Sequence, residues 1–88
     1  MTYQVEIRPK AAKFLNEVPK CDRQRILNRI NELSENPRNE HVIKLHSESV
    51  STYRARQGDY RIFFNIKDDV LLIEIIDVKT RQDSYKKG

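Results

Sequence analysis

The 88-residue sequence has a single cysteine, no tryptophan and only two glycines. One cysteine excludes an internal disulfide, and Cys21 has no second cysteine or nearby histidine at the spacing of a structural zinc site. Glycine-rich phosphate loops and the common catalytic metal motifs are absent as well. We therefore expect neither a metal ion nor a cofactor.

Long apolar runs are also lacking. The longest, residues 70–73 with Ile75 and Ile76, is interrupted by Glu74 and is far shorter than the ~20 residues of a membrane helix. The first residues have none of the features of a signal peptide. With 34% charged and 38% hydrophobic residues, we expect a single domain, residues 1–88, that is cytoplasmic and does not enter a membrane.

Basic residues are concentrated in three segments. The net charge is only +4, but residues 8–29 hold seven basic and two acidic side chains, and residues 53–61 hold three arginines and Asp59. Residues 79–88 hold four basic side chains and Asp83. This segregation indicates an anionic partner, and nucleic acid is the first candidate.

The N-terminal half has the pattern of one strand and two helices. Alternating apolar residues predict a strand over residues 3–7, and Pro9 begins a helix that Pro19 ends. Asp22 is the predicted N-cap of a second helix that ends at residues 36–37. Three arginines lie outside its apolar stripe and are expected to face solvent: Arg23, Arg25 and Arg29.

The C-terminal half has the pattern of short strands, at residues 42–45, 51–57, 60–66 and 70–78. Short connections predict that the last three form an antiparallel meander, and we expect Asp68 and Asp69 to serve the second turn. The fold class is therefore α+β: an N-terminal strand, a two-helix hairpin, then antiparallel strands forming one sheet with the helices on one face. Four side chains are predicted to be buried: Phe14, Ile30, Ile62 and Phe64.

Strand periodicity places arginines on the face of the sheet that the helices leave open. Arg54 and Arg56 alternate with Tyr53 and Ala55, and Arg61 lies between apolar residues of the next strand. Three arginines on one face favour a clamp for a polyanion. A solvated strand face is the competing interpretation.

Further candidates follow the sheet or flank its strands. Arg81 and Tyr85 are candidate site residues near the C-terminal end of the sequence, and His46 is a weaker one. The candidate RNA-binding lysines are Lys44, Lys79, Lys86 and Lys87.

Residues 53–62, YRARQGDYRI, resemble the Tyr-Arg-x-Arg-x-Gly-x-Tyr-Arg hairpin of RelE/ParE-superfamily toxins. The resemblance extends over nearly the whole chain, including the order of elements, residues 43–45, the apolar strand 71–78 and residues 79–81. It implies a RelE-like, microbial RNase-type fold and a cognate RelB-like antitoxin that wraps the toxin. For the RelE branch it also implies cleavage of mRNA in the A site of the 30S ribosomal subunit.

The resemblance assigns five site positions: Arg54, Arg56, Arg61, Arg81 and Tyr85. Some relatives have lysine at the first hairpin positions, and others have histidine where this chain has Thr80. Arginine does not deprotonate in proteins, so these side chains stabilise charge and are poor general bases.

The expected activity is a metal-independent endoribonuclease in which the 2′-OH attacks its own 3′ phosphodiester. Arg61 and Arg81 would stabilise the developing charge, and Arg54 and Arg56 would hold neighbouring phosphates. Tyr85 would stack on a base or take part in proton transfer, and stacking or orientation is favoured. The alternative is a ParE-like poison that binds DNA gyrase and cleaves nothing, since both share the fold. A plain RNA-binding module is disfavoured because we expect no exposed aromatic residue on the face of the sheet that carries Arg54, Arg56 and Arg61.

Overall fold

The computed structural model describes residues 2–45 and 53–80. The elements in chain order are β1 (Gln4–Ile7), α1 (Pro9–Glu17), α2 (Lys20–Glu35), β2 (Val42–Lys44), β3 (Tyr53–Gln57), β4 (Tyr60–Lys67) and β5 (Leu72–Thr80). A single 3₁₀ turn, Asp68–Val70, connects β4 to β5.

The five strands form one sheet in the order β1-β5-β4-β3-β2. The meander β3-β4-β5 is antiparallel, as predicted, and β2 pairs antiparallel with β3. β1 pairs in parallel with β5 at the other edge. The α+β fold class is confirmed. Parallel strands need a long connection between them, and in the connection from β1 to β5 the two helices come directly after β1.

The end of α1 is held by a side chain from α2. Arg23 Nε donates to the Leu15 carbonyl at 2.7 Å, and its Nη2 lies 3.5 Å from the Val18 carbonyl. The last carbonyls of a helix lack partners within the helix, so a guanidinium placed there satisfies them. The prediction that Arg23 faces solvent is therefore wrong. It fixes the corner between the helices.

The second helix begins at Lys20, two residues before the predicted cap. Asp22 lies instead in the first turn and accepts a hydrogen bond of 2.7 Å from the Tyr60 hydroxyl. This bond raises the pKa of Tyr60 to about 12, because ionising the phenol would remove the donor and add a second negative charge. Asp22 thus connects the helix layer to β4.

Of the other two arginines of α2, only Arg25 is exposed as predicted. The side chain of Arg29 is 15% exposed, and its Nε donates to Gln57 Oε1 at 3.1 Å. The solvent-facing prediction is therefore wrong for Arg29 too, because the end of β3 lies within its reach.

The core lies between the helices and one face of the sheet. Ile30, Ile62 and Phe64 are buried, as predicted, whereas Phe14 is only half-buried. The apolar stripe of α1 that meets the sheet consists of Ala11 and Leu15. Phe14 lies beside that stripe and packs edge-on against Tyr60 at a ring distance of 6.0 Å.

A bulge interrupts β5. Phe63 pairs with Asp77 but Phe64 pairs with Ile75, so Ile76 is an extra residue. The Asp77 carboxylate accepts a 2.8 Å hydrogen bond from the Val78 amide at this irregularity. Val78 is consequently buried on the same side as Ile75.

One carboxylate connects three distant segments. Asp68 receives two hydrogen bonds from the Arg38 guanidinium, at 2.8 and 3.1 Å, and one of 2.6 Å from the Tyr3 hydroxyl. Arg38 also lies 5.6 Å above the ring of Tyr53. The bonds from Arg38 and Tyr3 lower the pKa of Asp68 to about 2. Asp68 therefore does more than serve its own turn.

This network predicts acid sensitivity. A carboxyl whose pKa is lowered by folding stabilises the protein above its unfolded pKa, and that contribution disappears as the pH falls towards about 2. Asp68→Asn should therefore unfold more easily than the parent at neutral pH, and the difference should shrink below about pH 4 and be mostly lost once the pH reaches about 2. Urea unfolding across this range measures it, with Asp69→Asn as the matched control. A difference of undiminished size at pH 2 would contradict the assignment.

Candidate nucleic-acid interface

Three cations lie side by side across the sheet. Arg56 of β3 is directly opposite Arg61 of β4, which is directly opposite Lys79 of β5. Their chain neighbours Ala55, Ile62 and Val78 are buried against the helices, so alternation directs the three cations to the other face. Neighbouring strands are about 4.8 Å apart, which makes this row a dense line of positive charge.

A second row lies one step further along the strands and mixes charge with apolar surface. It consists of Ile43, Arg54, Phe63 and Asp77 on four successive strands. Ile43 is 45% exposed, while Arg54 and Phe63 are half-buried. We use "arginine face" for the surface formed by Arg54, Arg56, Arg61, Phe63 and Lys79.

Acidic side chains border the arginine face and have cationic neighbours of their own. Glu74, opposite Asn65, lies 3.5 Å from Arg8 and 3.8 Å from Lys67. Asp77 lies 3.3 Å from the Lys10 ammonium. The sheet surface is therefore polarised, with cations concentrated towards the β3–β4 turn.

The turn between β3 and β4 sets this arrangement. It has two residues, and Gly58 at its first position has a φ of +58°, a conformation that favours glycine. Two-residue turns with glycine at this position match the twist of paired strands. The turn thus brings Arg56 opposite Arg61.

Arg61 is the site residue whose environment differs most from expectation. We predicted that it points outward with Arg54 and Arg56, but its relative exposure is only 3%. The register does direct it to the arginine face. β4 is the central strand, however, so Arg61 has a paired strand on each side, with Arg56 and Lys79 directly opposite it. Of the three hairpin arginines, only Arg56 is exposed.

Phe63 was missed by the sequence reasoning. It lies on the arginine face, with the Lys79 ammonium 5.6 Å from the centre of its ring. This corrects the expectation that the face has no accessible aromatic residue. The signal was present, because the alternation that turns Ile62 and Phe64 inward turns Phe63 outward.

The predicted lysines do not all join this surface. Lys79 belongs to it, but Lys44 pairs with Tyr53, whose ring stacks on buried Phe64. The register therefore puts Lys44 on the helix side of β2, away from Arg54. Five predicted positions lie outside the described residues: His46, Arg81, Tyr85, Lys86 and Lys87.

Within residues 2–45 and 53–80, no group of three or more His, Cys, Asp or Glu side chains is arranged to hold a metal ion. Neither of the helices described there is long and apolar enough to cross a membrane.

The fold has solved relatives. The toxin–antitoxin complex RelBE2 from Mycobacterium tuberculosis is similar over 92% of this chain and all of the matched chain, with 26% identity and a TM-score of 0.82. The archaeal RelE–RelB complex from Pyrococcus horikoshii is 35% identical over 92% of this chain and 97% of the matched one, with a TM-score of 0.77. Escherichia coli RelE, 21% identical over 89% and 83% of the two chains, shares the fold with a TM-score of 0.75.

A two-helix layer on a five-stranded sheet, with cations on the opposite face, is thus the architecture of a toxin of the RelE/ParE superfamily. The chain belongs to the ParE toxin family of type II toxin–antitoxin systems, whose model matches residues 5–85. Its structural relatives place it in the RelE branch of the superfamily. No curated protein matches the chain by sequence comparison.

The row of cations predicts a trade-off between stability and charge. Like charges directly opposite each other on paired strands destabilise a sheet. Arg56→Gln should therefore raise the free energy of unfolding by about 0.5 kcal/mol at low salt. Salt screens the repulsion, so the gain should shrink in about 1 M NaCl. Urea unfolding at both salt concentrations measures this gain. Arg25→Gln is the control, because it removes the same charge from an exposed position outside the row. A less stable Arg56→Gln would contradict the prediction.

Proposed function

We propose that this toxin is a ribosome-dependent, metal-independent endoribonuclease that cleaves mRNA in the 30S A site and inhibits translation in the cytoplasm. The observation that carries the proposal is the cross-strand row Arg56, Arg61 and Lys79, with Arg54 beside it. Nucleic-acid backbones are lines of negative charge, and closely spaced cations on a sheet suit them.

The cations fit a reaction that generates negative charge. When a 2′-OH attacks the adjacent phosphodiester, the bond from phosphorus to the 5′ oxygen breaks, leaving a cyclic phosphate and a free 5′-OH. Charge grows on the phosphate oxygens during this step, and fixed guanidiniums stabilise it. Exposed Arg56 and half-buried Arg54 are suited to holding the phosphates on either side.

The burial of Arg61 defines its part in the proposal. At 3% exposure, Arg61 lies beneath the surface, and its register directs it to the arginine face between Arg56 and Lys79. From this position its charge adds to the positive potential of that face. We assign Arg61 to transition-state stabilisation, together with Arg81 from the resemblance. Tyr85 is assigned to stacking on a base or orienting it.

One comparison favours a different activity. The matching family model is that of ParE toxins, and the superfamily includes ParE-like poisons that bind DNA gyrase without cleaving nucleic acid. A gyrase poison would use the basic surface for docking alone. Cleavage therefore has to be measured directly.

The decisive experiment adds the purified toxin to ribosomes programmed with a defined mRNA and maps the ends by primer extension. We expect cuts at fixed codon positions without added metal, and a loss of most cleavage in Arg56→Gln but not in Arg25→Gln. The same preparations are tested for gyrase-mediated DNA breaks. If the mRNA stays intact and the DNA is broken, the nuclease proposal is wrong and the toxin is a gyrase poison.

Arg81 and Tyr85 should separate activity from stability. Arg81→Ala should slow cleavage by about two to three decades, equivalent to roughly 3 to 4 kcal/mol of electrostatic stabilisation. If the role of Tyr85 is stacking, Tyr85→Phe should cleave mRNA almost normally and Tyr85→Ala should cleave it poorly. If the role of Tyr85 is proton transfer, both variants should fail to cleave. Thermal melts should show that the free energies of unfolding of these variants stay within about 1 kcal/mol of the parent value. Arg25→Ala is the matched control. If Arg81→Ala retains full cleavage and full growth arrest, Arg81 is not a site residue.

We also propose that a RelB-like antitoxin neutralises the toxin by covering its basic surface, since two of the solved relatives are toxin–antitoxin complexes. An acidic segment would gain from contact with the arginine face. The dissociation constant should therefore rise on the order of tenfold between about 50 and about 500 mM salt. Titrations at both concentrations measure it. Affinity that is indifferent to salt would indicate an apolar interface instead.

A further inference from the structure

Phe63 occupies an unusual place for an aromatic side chain. Its two chain neighbours, Ile62 and Phe64, are completely buried in the core, whereas Phe63 is half-buried on the other face of the sheet. Its cross-strand neighbours are Arg54 and Asp77. The ring therefore forms a partly open apolar spot among charged side chains.

The ring already takes part in a contact typical of an accessible aromatic face. The Lys79 ammonium lies over it, 5.6 Å from its centre, where the negative face of the ring attracts a cation. A nucleobase stacked on the same face gains at least as much as the half-buried lysine does. The lysine is attached to the neighbouring strand and can turn to a phosphate instead.

We propose that Phe63 is a platform on which one unpaired base of the mRNA stacks, while Lys79 exchanges the ring for a phosphate of the same strand. The inference rests on the proposed nuclease function and goes further, because it assigns recognition of a base to a face otherwise made of charge. Arg54, directly across from Phe63, is placed to hold a phosphate next to that base. Stacking accepts any base, so this contact positions the RNA without selecting its sequence.

The test compares two ways of removing the same contact. In the protein, Phe63→Leu removes the aromatic ring but keeps apolar volume, and Phe63→Tyr keeps the ring. In the mRNA, an abasic ribonucleotide that retains its 2′-OH replaces each codon position in turn. Cleavage on programmed ribosomes is followed under single-turnover conditions over a range of toxin concentrations.

We expect Phe63→Leu to raise the half-saturating toxin concentration about tenfold with little change in the maximal rate, and Phe63→Tyr to behave like the parent. An abasic residue at one codon position should raise the half-saturating concentration of the parent by a similar factor. The same abasic mRNA should not raise the half-saturating concentration of Phe63→Leu any further, because two changes that remove one contact are not additive. A residue that only supports the fold would not give this result.

Phe14→Leu is the matched control, since it makes the same substitution at a half-buried ring in the helix layer. Thermal melts of all variants accompany the assays. Should Phe63→Leu fold poorly, Phe63→Tyr and the abasic series on the parent still decide.

The two proposals fail in distinguishable ways. The platform is wrong and the nuclease stands if the parent cleaves mRNA but no abasic position changes its half-saturating concentration. The same conclusion follows if the effects of Phe63→Leu and of the abasic position on that concentration are additive. If the parent cleaves no mRNA on ribosomes, the nuclease and the platform fall together.

Discussion

The alternation of side chains along β4 is the constraint on which the rest of the molecule depends. Ile62 and Phe64 are completely buried in the core, so Arg61 and Phe63 must leave it on the opposite side. A slip of one residue against β3 would turn Arg54 and Arg56 towards the helices and expose Ala55, which apolar burial forbids. The two-residue turn at Gly58 fixes that register. Burial of the core and placement of the cations are thus one event.

The charged surface has an energetic cost that the rest of the fold must offset. Arg56, Arg61 and Lys79 repel one another across three strands. Hydrogen bonds at Asp68, Asp22 and Arg23 join separate elements of the fold. None of these three bonds involves a residue of the cation row, so they stabilise the fold and leave the like charges of the arginine face opposite one another.

Local patterns in the sequence predicted most of the fold, and long-range contacts account for most of what they did not. Pro9 and Pro19 mark the first helix because proline is tolerated at a helix start and ends what precedes it. Asp22 was misassigned because its partner Tyr60 is 38 residues away. The outward direction of Arg61 follows from alternation. Its burial does not, because burial depends on which long side chains flank it in three dimensions.

The bulge at Ile76 gives β5 two different phases. Before it, the odd-numbered positions Ile73 and Ile75 point into the core; after it, the even-numbered Val78 does, which frees Lys79 for the other face. If β5 ran through Ile76 with regular alternation, Val78 would point outward and Lys79 inward. Deletion of Ile76 would instead give a regular strand that keeps both residues on their present faces. The bulge therefore accommodates one residue more than the pairing with β4 needs, and an additional residue without a second bulge would invert the end of the strand.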